Sequence, residues 1–140
     1  MKAFATTMVI QATPQAVWSV LTDGAQWTTW NPTVDKVEGT IASGAKVTVY
    51  TKLSPGRAFP IRVSVFEPPH RMVWTGGMPL GLFKGERTYT LTPTAGGVAF
   101  SMREAFTGLM APLITKSIPD MQPAFEAFAA ALKRRCEQTP

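Results

Sequence analysis

The stretch from about residue 112 to residue 137 constrains this chain most, because it holds the one long amphipathic helix pattern. Ile114, Ile118, Met121, Phe125, Phe128 or Ala129, and Leu132 recur at three- and four-residue spacing, which draws one apolar stripe along a helix. The chain between positions 34 and 107 reads instead with period two. Antiparallel strands of that kind build a sheet with an apolar face, and the face must be covered. A helix is only about 10–12 Å across and cannot cover a flat sheet of six or seven strands. The sheet must curl around it. Periodicity alone leaves open whether the enclosed space is hollow or filled by side chains.

The rest of the order follows from local signals. Residues 2–11 alternate, with Phe4, Thr6, Met8 and Ile10 on one face of a first strand. Thr13 can cap a helix whose first position is Pro14. Ala16, Val17, Val20 and Leu21 form its stripe, and Trp18 reads as packing on the same helix. Thr22-Asp23-Gly24 ends it, with Asp23 as a cap, and opens a second short helix through Trp27 and Trp30. Asn31-Pro32 stops that helix, since a residue before proline avoids the helical region. Strands are expected at about 34–39, 45–53, 60–67, 71–76, 83–93 and 97–107. Pro55-Gly56 and Glu67-Pro68-Pro69-His70 are turns, and Thr94-Ala95-Gly96-Gly97 is a hairpin signal. Pro119 and Pro123 should kink the last helix or delay its regular start. The expectation is an α+β fold, one domain over residues 1–140: one strand, two short helices, six strands and a long helix.

Several function classes are set aside. The single cysteine, Cys136, has no internal disulfide partner, and with the single histidine, His70, far away in sequence, no metal site is expected. The start of the chain lacks the apolar run of a signal peptide, and no segment approaches the length of a membrane-spanning helix, so a cytoplasmic location without stable membrane insertion is expected. The net charge of +5 is thinly spread. Its one cluster, Lys133-Arg134-Arg135, complements a helix C-terminus, and no basic stripe interleaved with aromatics suggests nucleic-acid binding. No phosphate-cradling or dinucleotide glycine motif appears, so no cofactor is expected. The oligomeric state is expected to be a monomer or homodimer.

Glu104 is the first candidate for chemistry. Val98, Phe100, Met102, Glu104 and Phe106 share one face of the last strand, and a carboxylate in that company needs a partner. With a turn at 94–97, Arg87 falls opposite or diagonal to it, in phase with Tyr89 and Leu91. The pair would orient the polar end of an apolar ligand, or Glu104 would act as general acid or base, or the pair is purely structural. Trp27, Trp30 and Trp74 would stack on a ligand or fill core. Tyr50 and Tyr89 each offer a hydroxyl. Cys136 is either activated by the nearby basic cluster or an inert packing thiol. His70 reads as exposed and inert.

The segment Ile10-Gln11-Ala12-Thr13-Pro14-Gln15-Ala16-Val17-Trp18-Ser19-Val20-Leu21-Thr22-Asp23, continued by Trp27 and Trp30-Asn31-Pro32, resembles the START-like (SRPBCC) superfamily, also called polyketide-cyclase/dehydrase-like, in the form typical of bacterial members. Glu67-Pro68-Pro69-His70-Arg71-Met72-Val73-Trp74 and Glu104-Ala105-Phe106-Thr107-Gly108 extend the resemblance over nearly the whole chain. It implies a helix-grip fold with an apolar cavity whose entrance lies near Met78, Leu80, Leu82 and Phe83 and near Met110–Leu113. Related sequences often carry Gly-Glu-His where this chain reads Gly85-Glu86-Arg87, so no histidine stands there to move a proton.

Three functional readings follow. The first is binding or transport of a small hydrophobic molecule, such as a lipid, polyketide or aromatic metabolite. Its wall would draw on the tryptophans, Tyr50, Tyr89, Arg87, Met102, Glu104 and Phe106, with Ile118, Met121 and Phe125 from the helix. The second is a cyclase or dehydratase using Glu104 or a tyrosine. The third is a protein-interaction domain of co-chaperone type.

Overall fold

Alternation forms the sheet and proline punctuates it. In the computed structural model, which describes residues 2–138, β1 (Lys2–Ile10) buries Phe4 and Ile10 and exposes its odd-numbered positions. Thr13 then caps α1 (Pro14–Thr22) by accepting a hydrogen bond from the Ala16 amide at 3.1 Å. A 3-10 stretch (Gly24–Thr29) follows, bringing Trp27 inward. Asp23 sits between the two, yet its side chain makes no capping bond; only its backbone amide closes the turn, onto the Val20 carbonyl. Asp23 is thus the expected cap, made by its backbone.

The other strands are β2 (Val34–Glu38), β3 (Lys46–Thr51), β4 (Ala58–Glu67), β5 (Arg71–Met78), β6 (Phe83–Thr94) and β7 (Gly97–Thr107). They make one antiparallel sheet in the order β1-β7-β6-β5-β4-β3-β2. Strands β2 to β7 form a continuous meander. The β1–β2 connection, through α1 and the 3-10 stretch, carries the chain from one edge of the sheet to the other. Bulges at Val34/Lys36 and Val63/Val65 add bend. Gly97 begins β7 with φ of +155°, where a Cβ would collide with the Ile10 carbonyl oxygen of the neighbouring strand. The result is a curled half-barrel with a C-terminal helix in its grip.

That helix is shorter than its stripe. The chain after β7 makes a four-residue helix, α2 (Ala111–Ile114), and a 3-10 turn (Thr115–Ser117). Ile118 is then extended at ψ of 127°, as a residue before proline should be. α3 (Gln122–Glu137) starts afresh with Pro123 in its first turn and ends with Arg134 and Arg135 in its last. The prolines delay the regular helix by about ten residues relative to Pro112.

α3 buries Phe125, Phe128, Ala129 and Leu132 against the concave face. The Phe128 ring lies 5.3 Å from Trp27, 5.5 Å from Trp30, 6.0 Å from Tyr89 and 6.1 Å from Phe100. Trp27 in turn stacks on Trp74 at 5.3 Å. The centre of the grip is thus filled by rings from five parts of the chain. Polar side chains of α3 also close the open edge of β1. Gln122 donates to the Ala5 carbonyl, Lys133 donates to the Val9 carbonyl, and Glu137 accepts from the Gln11 amide just beyond the strand.

Phe128→Ala should cost about 3–5 kcal/mol, since the surrounding rings cannot all close on the void. Urea unfolding monitored by tryptophan fluorescence measures this directly.

Candidate functional site

Period two fixes which side chains meet on the concave face. Register places Glu104 of β7 directly between Phe4 of β1 and Arg87 of β6. Arg87 Nε donates to Glu104 Oε1 at 2.7 Å, and the two side chains are only 20% and 14% exposed. Arg87 also donates through a terminal nitrogen to the Tyr89 hydroxyl at 3.4 Å, and its guanidinium lies 4.9 Å from the centre of the Phe125 ring. Burial opposes the guanidinium charge, but the Glu104 carboxylate and the Tyr89 oxygen outweigh it and raise its pKa. Burial raises the Tyr89 phenol, and Arg87 pulls it the other way without prevailing. This polar trio sits on a face otherwise made of Phe4, Met102, Phe100 and Phe125.

Next to it opens a cleft of about 460 Å³, lined by Lys2, Phe106, Thr107, Gly108, Ala111, Pro112 and Thr115. It lies where β1 starts, β7 ends and α2 begins. Phe106 joins the two features: it is one inward position beyond Glu104 on β7 and forms a wall of the cleft. Its ring stacks on Phe83 at 5.8 Å and meets Phe4 edge-on at 6.4 Å. Neither Arg87 nor Glu104 is among the residues that line the cleft.

The remaining candidates divide sharply. Trp27, Trp74, Tyr89, Met102 and Phe125 are buried in mutual contact. Trp27 donates its indole N–H to the Leu21 carbonyl at 3.0 Å, and Trp74 donates to the Met72 sulfur at 3.3 Å. Trp30 is half-buried against the same cluster and lines a second cleft of about 120 Å³ with Ser19, Val20, Asp23, Gln26 and Arg135. Ile118 and Met121 are half-buried against the core, in the segment joining α2 to α3. Tyr50 is a correction. It alternates with inward-facing Val47 and Val49, so it stands on the convex face, where its hydroxyl donates to Glu38 and Lys36 lies over its ring. It cannot reach a guest inside the grip. Of the two readings left open, the Phe128 cluster fills the centre of the grip, and the larger cleft lies at the end of the sheet.

Cys136 is buried, and burial pushes its thiol up to about 11, so the nearby arginines do not activate it. His70 is exposed, as expected. Among the described residues, no group of three or more histidine, cysteine, aspartate or glutamate side chains is placed to hold a metal ion.

A family model described as polyketide cyclase / dehydrase and lipid transport matches residues 1–137. The chain belongs to this family. No curated protein matches it significantly. Among solved structures, protein MLL2253 from Mesorhizobium loti superimposes with a TM-score of 0.76 at 17% identity, covering 99% of both chains. Protein jhp0584 from Helicobacter pylori gives 0.78 at 15% identity, over 96% of this chain and 88% of that one. The di-domain ARO/CYC BexL from the BE-7585A biosynthetic pathway gives 0.73 at 17% identity, over 99% of this chain and 51% of that one. At such identities the likeness is one of fold.

Sequence reading missed Lys2, Thr107 and Thr115 as cleft residues. Lys2 had a signal: it is in phase with Phe4 and so belongs to the apolar face of β1. Thr115 had none, because it falls on no strand alternation and outside the apolar stripe of the last element.

Removing Arg87 alone strands a largely buried carboxylate. Arg87→Met should therefore destabilise by about 3 kcal/mol, and the Arg87→Met/Glu104→Met double variant should recover most of that loss. A double-mutant cycle in urea checks both.

Proposed function

We propose that this protein binds a small hydrophobic molecule (a lipid, polyketide or aromatic metabolite) that enters by the cleft at Phe106, its polar end held by Arg87 with Tyr89 and Glu104. The observation that carries the reading is the Arg87–Glu104–Tyr89 trio on an otherwise apolar concave face. A structural ion pair gains little from such a position, because desolvation offsets its attraction. Recognition of a single polar group gains a great deal, since a charge-assisted bond inside an apolar wall fixes orientation. The family description, which includes lipid transport, supports the same reading.

Entry requires rearrangement of the Phe83, Phe106 and Phe4 rings. The half-buried Ile118 and Met121 flank the route from the helix side, on a connection broken by Pro119, and methionine adapts readily to guests of different shape.

A second reading is an enzyme of cyclase type. It is favoured by Tyr89, whose buried phenol keeps its proton beyond the usual tyrosine range beside a fixed cation. Such a phenol can donate to a carbonyl oxygen that gains charge during ring closure. The carriage reading needs no turnover; this one does.

The test uses cis-parinaric acid, a fluorescent polyene carboxylic acid, and its methyl ester. The wild-type chain should take up both and prefer the acid. The stable Arg87→Met/Glu104→Met variant should lose about tenfold affinity for the acid and little for the ester, and Thr107→Trp should block both. No uptake of either probe, or an unchanged preference in the double variant, would refute the assignment. For the enzyme reading, a polyketide-like substrate should be converted by wild type and far more slowly by Tyr89→Phe, with binding retained.

A further inference from the structure

Three leucines stand almost clear of the protein at the cleft end of the sheet. Leu80 is 91% exposed, Leu109 84% and Leu113 65%, with Met78 exposed beside Leu80's loop. Leu80 and Leu109 lie on two loops that are tied together, and Leu113 follows in α2. The Leu109 amide donates to the Gly81 carbonyl at 3.1 Å, and the Met110 amide donates to the Leu82 carbonyl at 2.7 Å. Gly108, at φ of +115°, permits this approach, since a Cβ there would stand 2.7 Å from the Leu82 carbonyl oxygen. Leu80 itself has φ of 61°, a left-handed conformation that suits glycine and strains leucine. Its side chain is held in strain and packs on nothing, so the core does not account for it.

The loops that carry these leucines hold lysine and no acid, with Glu86 and Asp120 just beyond them. Residues 76–84 and 107–118 contain no aspartate or glutamate, and they carry Lys84 and Lys116. Lys2 stands beside Pro112 and Thr115 at the cleft. Of the three, Lys84 is the one with an ion-pair partner among the described residues, Glu86 at 3.1 Å.

We propose that this end of the molecule docks peripherally on an anionic lipid surface, with Leu80, Leu109 and Leu113 inserted between headgroups and the three lysines held over them. Protruding apolar side chains ringed by lysine suit a bilayer interface, which accepts protrusions without a matching hollow. A second copy of the chain would set lysines against lysines. No helix of the described residues is long and apolar enough to cross a membrane, so attachment rests on these loops. The cleft mouth at Thr107, Gly108 and Thr115 lies between the same elements and would face the apolar layer. The docking itself is independent of what the cleft holds.

The full chain is tested by co-sedimentation with vesicles of phosphatidylcholine alone and of phosphatidylcholine mixed with phosphatidylglycerol. Binding should require phosphatidylglycerol and weaken as salt rises. Leu80→Gly is the decisive variant, because it relieves the backbone strain while removing the side chain. It should keep or raise the melting temperature yet lower vesicle partitioning on the order of tenfold. Leu109→Ser should act likewise in binding, and the Arg87→Met/Glu104→Met variant should bind vesicles as wild type does. Undiminished vesicle binding by Leu80→Gly and Leu109→Ser would overturn the proposal. So would light scattering that shows self-association abolished by these substitutions without any vesicle binding, or capture by an acidic protein alone.

Discussion

The seating of Phe128 among Trp27, Trp30, Tyr89 and Phe100 is the contact on which the architecture turns. A curved sheet with a single covering helix has to close its middle with few side chains. Large flat rings do this well, because each buries much area at little rotamer cost and edge-to-face contacts add to the gain. The tryptophans come from the 3-10 stretch and from β5, the other rings from β6, β7 and α3. One cluster therefore fixes the connection that crosses the sheet, the strands and the helix together. The same cluster fills the middle of the grip, and the larger of the two clefts lies beyond it, at Phe106.

Against that plug, the ion pair of Arg87 and Glu104 stands out chemically. Cross-strand register alone brings the two together, and Tyr89 joins because it is two residues from Arg87 on the same face. Phe125 supplies a ring for the cation to lie on, so each donor or charge in the group has a neighbour within the protein. A guest with a polar end would meet donors already held in place by their neighbours.

Much of this was legible in residue pattern. Period two gave the seven strands and set Glu104, Arg87 and Tyr89 on one face, because a sheet has only two sides. Thr13-Pro14 and Asn31-Pro32 marked helix ends through backbone sterics that context rarely overrides. The failures have equally local causes. Tyr50 was read for its hydroxyl, although its alternation with Val47 and Val49 already put it on the convex side. In the last element Pro119 and Pro123 did signal the delayed start of the regular helix, although the apolar spacing runs on through the interrupted segment. Periodicity could not choose between a hollow and a filled centre: it shows which way a ring points, and how far rings from five distant elements reach toward one another is a tertiary fact.

The pairing of β1 with β7 joins Lys2 to Phe106 and Ile10 to Val98. During synthesis the first strand therefore emerges long before its hydrogen-bonding neighbour exists. Local hairpins such as β6–β7 can zip early, whereas β1 waits for a closure spanning most of the chain, with the entropy of that large loop to overcome. Until then its apolar side and both backbone edges face solvent or other nascent chains. The fold thus leaves the pairing with the longest loop to its first-made strand, and α3, by lying over β1 and bonding its outer edge, seals that strand once closure is complete.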